Sequence, residues 1–198
     1  MQESKSFLNV LLIEDIQEKA NALINALDTS IYCIKHVSNS GVSLLNQVEK
    51  LKPDLIIIDI ESPNRDILDS LHLLSSSNPK PVVMFSPEKD TATINQLVKS
   101  GVSAYVAGGV DLQRVKSIID TALARFDEYQ LLKNELAMTK EKLSGQKTVE
   151  QAKLWLMDAK KLSEQEAYQF IRKTAMDNSQ KMEDVAKNIL SLAKMIGS

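Results

Sequence analysis

Four side chains in the first half of the chain carry the chemistry worth tracing. Glu14 and Asp15 follow the apolar run FLNVLLI at 7–13, Asp59 follows LIII at 55–58, and Ser86 follows PVVMF at 81–85. Three carboxylates gathered in one place form an all-oxygen site that suits Mg2+, a hard ion that keeps several waters and takes only a few carboxylates. Such carboxylates repel one another unless a cation or a proton intervenes, so their assembly is costly without a purpose. Any one acid at a strand end is more often a helix cap than a ligand. Three acids and a hydroxyl at matched strand ends point instead to a phospho-acceptor pocket: Asp59 as acceptor, Glu14, Asp15 and Asp59 as metal ligands, and the Ser86 hydroxyl as a partner for a phosphoryl oxygen.

These residues meet only if the chain folds as a parallel sheet. Apolar, β-branched runs at 7–13, 31–37, 55–58, 81–85 and 104–107 read as five strands. Helical spacings lie between them: Ala20, Leu23, Ile24 and Leu27; Val42, Leu45 and Val48; Ile67, Leu68, Leu71 and Leu74; Ile94, Leu97 and Val98. Strands alternating with helices predict an α/β sheet covered on both faces, in the flavodoxin-like order 2-1-3-4-5. In that order the carboxyl ends of strands one, three and four open on a common crevice.

Beyond GGVD at 108–111 the pattern changes. From Leu112 to about Leu162 there is no proline and a single glycine, Gly145, which predicts one long helix, either continuous or interrupted near that glycine. Ala122, Tyr129, Leu136 and Leu143 recur every seven residues, with Ile118 and Leu132 as companions, and Arg125, Thr139 and Gln146 break the companion column. The repeat is that of a dimeric coiled-coil seam, against a solvated helical linker as the plainer reading. Ser163 and Glu166 form a capping box ahead of Ala167, Phe170 and Ile171, which are expected to face a core. After the polar break DNSQK come Val185, Ala186, Ile189, Leu190 and Ala193, completing a three-helix unit with the segment around Leu154 to Leu156. The chain therefore divides into an α/β domain at 1–111, a helical coiled-coil linker at 112–146 and a helical unit at 147–198.

Composition bounds the function. The chain of 198 residues has a net charge of −2, which gives no global attraction to nucleic acid or membrane. Segment by segment, residues 1–110 hold 9 basic and 13 acidic residues, 111–146 hold 6 and 6, and 147–198 hold 9 and 7, so the tail is mildly basic. The lone Cys33 excludes an internal disulfide and a cysteine-built zinc site. No apolar run approaches the about 18 residues of a membrane span, and the amino terminus lacks the apolar centre of a signal peptide, so a cytoplasmic protein is expected. No Ser/His/Asp or Cys/His set suggests an enzyme.

The acid pair after strand one, the acceptor Asp59 with Pro63 four residues on, Ser86 after strand four and the aromatic Tyr105 in strand five together resemble the receiver domain of two-component response regulators, over residues 7 to about 125. The resemblance implies that Ser86 and Tyr105 act as switch residues. It departs after strand five: receivers place a Lys there, followed by Pro, where this chain reads AYVAGGVD and no Lys lies between Lys99 and Lys116. That lysine normally neutralises the phosphoryl charge, so its absence points to switching by protein contact.

The tail carries Ala152 and Lys153, then Ser163, Glu164, Glu166, Ala167 and Tyr168, then Arg172, Ala175 and Met176. These resemble the ANTAR domain, the three-helix RNA-binding module of transcription antiterminators, over 147 to about 196. Leu154 and Trp155 stand where that family usually has a small residue. Tyr168 and Arg172, four apart, share a helix face; the ring could stack on an unpaired base, and Arg172, Lys173, Lys153 and Lys181 could meet phosphates. On residue types alone, a half-buried core-edge tyrosine and a solvated basic face remain open. DIESPNRD, GVSAYVAGG and LARFDEYQLLKNEL further resemble the NasT-type regulators of nitrate and nitrite assimilation. That resemblance implies leader RNA hairpins as targets and a nitrate-sensing, solute-binding-like regulatory protein as partner, with two modules joined as a homodimer. The rival expectation is a phosphorylation-switched regulator whose last helices bind protein or DNA.

Overall fold

The computed structural model describes residues 7–38 and 43–196, so Val42 lies outside the described residues. The chain divides into two compact units, Met1–Gln130 and Leu131–Ser198. In the first, strands β1 (Leu8–Glu14), β2 (Tyr32–Val37), β3 (Leu55–Asp59), β4 (Val82–Ser86) and β5 (Ala104–Ala107) alternate with helices α1 (Gln17–Ala26), α2 (Leu44–Leu51), α3 (Arg65–Ser77) and α4 (Thr91–Lys99). All neighbours run parallel, in the expected order β2-β1-β3-β4-β5.

The sheet is buried on both faces, which is why its central strands are continuous apolar runs. Leu11, Ile13, Ile56, Ile58 and Met84 face α2, α3 and α4, while Val10, Leu12, Ile57, Val83 and Phe85 face α1 and the start of the next helix. Two of the covering helices are fixed by polar caps: Asn64 Oδ1 accepts from the Ile67 amide at 2.9 Å, and Asp90 Oδ2 accepts from the Thr93 amide at 2.8 Å.

Helix α5 (Val115–Lys160) is one unbroken element of 46 residues. Its first turns complete the sheet's second core through Val115, Ile119 and Ala122, so the apolar core of the first unit runs past the expected boundary at residue 111. Ala122 and Ile118 are therefore committed to that core and do not open a coiled-coil seam. The later members of the repeat, Tyr129, Leu132, Leu136 and Leu143, are all exposed.

Gly145 does not interrupt the helix. Glycine inside a helix costs about 0.5–1 kcal/mol relative to alanine, and the surrounding helix carries that cost here. A Cβ at this position would fall 2.6 Å from the carboxylate of Glu183, which pairs with Lys187. The second unit is completed by α6 (Glu164–Asp177) and α7 (Met182–Ile196). The capping box at α6 is formed: the Ser163 hydroxyl accepts from the Glu166 amide at 3.3 Å, and the Glu166 carboxylate accepts from the Ser163 amide at 2.8 Å. Ala152, Leu156, Ala167, Ile171, Ala175, Val185 and Ala186 form its core.

Candidate functional site

Glu14 and Asp59 are register partners at the carboxyl ends of β1 and β3. Both are buried, with 3% and 9% of their surface exposed. One Glu14 oxygen, Oε1, accepts from the Ile16 amide at 2.8 Å, which fixes the carboxylate; the other, Oε2, is buried without a hydrogen-bond partner. Burial first, then the hydrogen bond that a protonated Asp59 donates to Glu14 and the charge of Glu14, push the Asp59 carboxyl up to about 7, and the charge of Lys19 acts in the opposite sense. Near neutral pH the pair is poised to share a proton or to take a cation.

Asp15 does not join them. Its side chain is exposed and accepts from the Ser38 hydroxyl at 2.8 Å. Among the described residues no group of three or more His, Cys, Asp or Glu is disposed to hold a metal ion, so the expected three-acid cluster is reduced to a pair. The reason lies in strand geometry: successive side chains leave on opposite sides, and Asp15 lies one residue past the end of β1. The pair still fits Mg2+, which commonly takes one or two carboxylates and keeps its remaining waters, and the orphaned Oε2 is the oxygen such an ion would satisfy.

Ser86 is fully buried; its hydroxyl donates to the Glu61 carbonyl at 2.9 Å and accepts from the Glu88 amide at 3.2 Å. Tyr105 is half-buried and donates to the Glu88 carbonyl at 2.7 Å. The loops after β3 and β4 are thus tied together through Ser86, and the β4–α4 loop is tied to β5 through Tyr105. A cavity of about 410 Å³ opens over Asp59, lined also by Lys19, Glu61, Pro87, Gly108 and Gly109.

In the second unit α6 turns Ala167, Ile171 and Ala175 inward and leaves Tyr168, Arg172 and Lys173 exposed on the outer surface; Lys181, in the following turn, is exposed too. Among the described residues none of these three cations is ion-paired. Phe170, expected in the core, is instead 40% exposed, with the Lys160 ammonium 4.7 Å from its ring centroid. The inward face is the stripe of Ala167, Ile171 and Ala175, and at 3.6 residues per turn Phe170 lies to one side of it.

Lys153 is only 8% exposed, and its ammonium sits 2.8 Å from Glu150 and 2.7 Å from Glu164. Hydrogen bonds to Glu150 and then Glu164 hold its pKa above the ordinary lysine value, and the same contact holds Glu164 below the carboxylate range. These two carboxylates match its charge and join α5 to the start of α6. Trp155 packs half-buried against the core, while Leu154 is exposed.

The response regulator receiver domain model matches residues 10–120, more than half of the chain. The chain belongs to the response regulator receiver family. In this response regulator a second family model, the ANTAR domain, matches residues 137–190. It is similar to the transcriptional regulatory protein PdtaR of Mycobacterium tuberculosis, 29% identical over 181 residues that cover 91% of this chain and 88% of that one. It is also similar to the nitrate regulatory protein of Klebsiella oxytoca, 32% identical over 83 residues, 42% of this chain and 21% of that one. Among solved structures, a CheY-like receiver domain protein from Methanospirillum hungatei superposes with a TM-score of 0.54 at 16% identity, covering 63% of this chain and 99% of that one, which concerns the fold alone.

Against the receiver pattern, one basic residue that no motif pointed to lines the cavity with Asp59: Lys19, on α1. The signal available in the sequence was its place in the first turn of a helix, where the macrodipole disfavours a cation.

Proposed function

We propose that this response regulator is an RNA-binding transcription antitermination regulator. Tyr168, Arg172, Lys173 and Lys181 of the ANTAR helices contact leader RNA hairpins, with the tyrosine ring stacking on an unpaired base and the cations meeting phosphates. The observation that carries this reading is the exposure of Tyr168 and Arg172 on α6, beside the buried Ala167, Ile171 and Ala175, within the segment that matches the ANTAR model. A tyrosine 42% exposed beside unpaired cations is hard to account for as core packing. Lys153 is assigned a positioning role through Glu150 and Glu164.

Two copies join through the exposed stripe of Tyr129, Leu132, Leu136 and Leu143, and the pair of RNA-binding units gains affinity for paired hairpins through effective concentration. The protein acts in the cytoplasm and is not an enzyme; no described helix is long and apolar enough to cross a membrane. The genes controlled are those of nitrate and nitrite assimilation, and the regulator is released from a nitrate-sensing, solute-binding-like regulatory protein. The partial similarity to the Klebsiella nitrate regulatory protein supports that assignment.

A second reading is favoured by the acidic pocket: phosphorylation of Asp59 switches the receiver. Glu14 and Asp59 would hold Mg2+, which when bound neutralises both carboxylates and leaves room for phosphoryl oxygens. Ser86 and Tyr105 would then respond by exchanging the Glu61 and Glu88 carbonyls for new partners. The experiment that tests the primary reading is binding of the purified full chain to a hairpin pair and to matched duplex DNA, titrated with salt. Loss of RNA binding in Tyr168→Ala or Arg172→Ala with the fold intact supports it, and unchanged binding refutes the site.

A further inference from the structure

Lys19 stands third in α1, which begins at Gln17 after an N-cap residue, Ile16, that makes no side-chain capping bond. A cation so close to the positive end of a helix dipole is unfavourable for the helix itself. Its neighbours three and four residues on, Ala22 and Leu23, offer no carboxylate, and among the described residues it makes no ion pair. Lys19 is exposed, and it is the sole basic residue lining the cavity over Asp59. Within that cavity its charge acts on the Asp59 carboxyl.

Two of the residues that line the same cavity have no side chain to contribute. Gly108 and Gly109 follow β5 with φ of 102° and 89°, a backbone conformation other residues seldom adopt, and nothing lies within 4 Å of where their Cβ atoms would be. On the sheet side the pocket is lined by the Asp59 carboxyl, with Glu14 as its register partner on β1. An additional anion at Asp59 would therefore need positive charge, and the cavity offers it from α1 alone.

We propose that Lys19 is the positioning cation of the Asp59 pocket, supplying from α1 the positive charge that meets a phosphoryl-type oxyanion held at Asp59. The proposal rests on the reading of Asp59 as an acceptor. In transfer from a small phosphodonor, an Asp59 carboxylate oxygen bonds to phosphorus as the bond from phosphorus to the donor's leaving group breaks, and the leaving group takes the electron pair. Lys19 stays protonated throughout and moves no proton. Because the cation comes from α1, occupation of the pocket draws on α1 and leaves the Gly108–Gly109 turn without a charge to follow.

The test uses the full chain and two probes, Mg2+ alone and Mg2+ with beryllofluoride, in wild type, Lys19→Ala, Lys19→Arg and Lys99→Ala. Removing a cation from beside a metal site strengthens metal binding while weakening anion binding, a pair of opposite signs that loss of structure does not produce. Lys19→Ala is expected to bind Mg2+ about 3-fold more tightly and beryllofluoride about 10-fold more weakly. Lys19→Arg should stay within about 3-fold of wild type on both, since the charge is kept, and Lys99→Ala should match wild type. Uptake of both probes that is indifferent to Lys19 overturns the proposal alone. Mg2+ binding without beryllofluoride uptake in any variant, or no uptake of either probe, removes Asp59 as acceptor and the proposal with it.

Discussion

Glu14 and Asp59 stand opposite each other at the ends of β1 and β3, both buried, with one Glu14 oxygen unpartnered. The mutual repulsion of two carboxylates held in this way is a property of the folded state that disappears on unfolding.

Stability should therefore depend on pH through Asp59. Its folded-state pKa is about 7, above an unfolded value of about 3.9, so between these limits the native state binds a proton that the unfolded chain has lost. The contribution is favourable below the unfolded value and is lost as pH rises through about 7. Urea melts of wild type and Asp59→Asn should diverge with pH, the variant becoming more stable by about 1–2 kcal/mol at pH 8, a figure reduced from the full shift for partial solvent screening. Added Mg2+ should raise the stability of wild type at pH 8 and leave Asp59→Asn little changed. A gap independent of pH would contradict the account of the pair.

Lys153 and Arg172 should behave oppositely in RNA binding. Lys153→Gln leaves Glu150 and Glu164 without their shared cation, so the thermal midpoint of the helical unit should fall while the salt dependence of RNA binding by the folded protein stays that of wild type. Arg172→Ala should leave the midpoint in place and reduce the slope of log affinity against log salt by about 0.7–0.9, the loss of one phosphate contact. Circular dichroism melts and filter binding over a salt series distinguish the two.

Ile171 is fully buried between α5, α6 and α7. Ile171→Ala should destabilise the helical unit by about 2–5 kcal/mol, enough to unfold a unit of this size while the sheet remains folded. Hydrogen exchange should show protection lost after about residue 145 and kept in β1, β3 and β4. Loss of protection in both units together would mean that they fold as one.

The exposed stripe on α5 should set the oligomeric state. Leu132→Asp with Leu136→Asp places charge on that stripe, and sedimentation equilibrium is expected to report a dimer for wild type and a monomer for the variant. Affinity for a single hairpin should be unaffected, whereas affinity for a hairpin pair should fall by about 100-fold through loss of effective concentration.

The sheet was readable from the sequence because strands buried on both faces must be continuously apolar, and their ends located Glu14, Asp59 and Ser86. The capping box was equally plain, since Ser163 and Glu166 are local partners. What escaped depends on neighbours distant in sequence. Phe170 fits a helical apolar pattern, yet the inward face is set by Ala167, Ile171 and Ala175, whose packing role appears only once α5 and α7 are in place. Lys153 has the type of a phosphate contact, and only burial beside Glu150 and Glu164 reveals otherwise. Ala122 and Ile118 fit the heptad repeat as well as they fit the sheet's core, and periodicity alone cannot separate the two. Asp15 follows Glu14 at the same strand end, and residue types do not tell which of two neighbouring acids turns toward Asp59.

The central claim, that the exposed face of α6 binds RNA, is tested most directly by titrating the full chain and its Tyr168→Ala and Arg172→Ala variants with a fluorescent leader hairpin pair at fixed salt. Stacking of a base on an aromatic ring contributes about 1–3 kcal/mol, so Tyr168→Ala should weaken binding by about 5- to 150-fold with the helical content unchanged, and duplex DNA should compete poorly. Wild-type affinity in both variants, or equal binding to matched duplex DNA, would contradict the account.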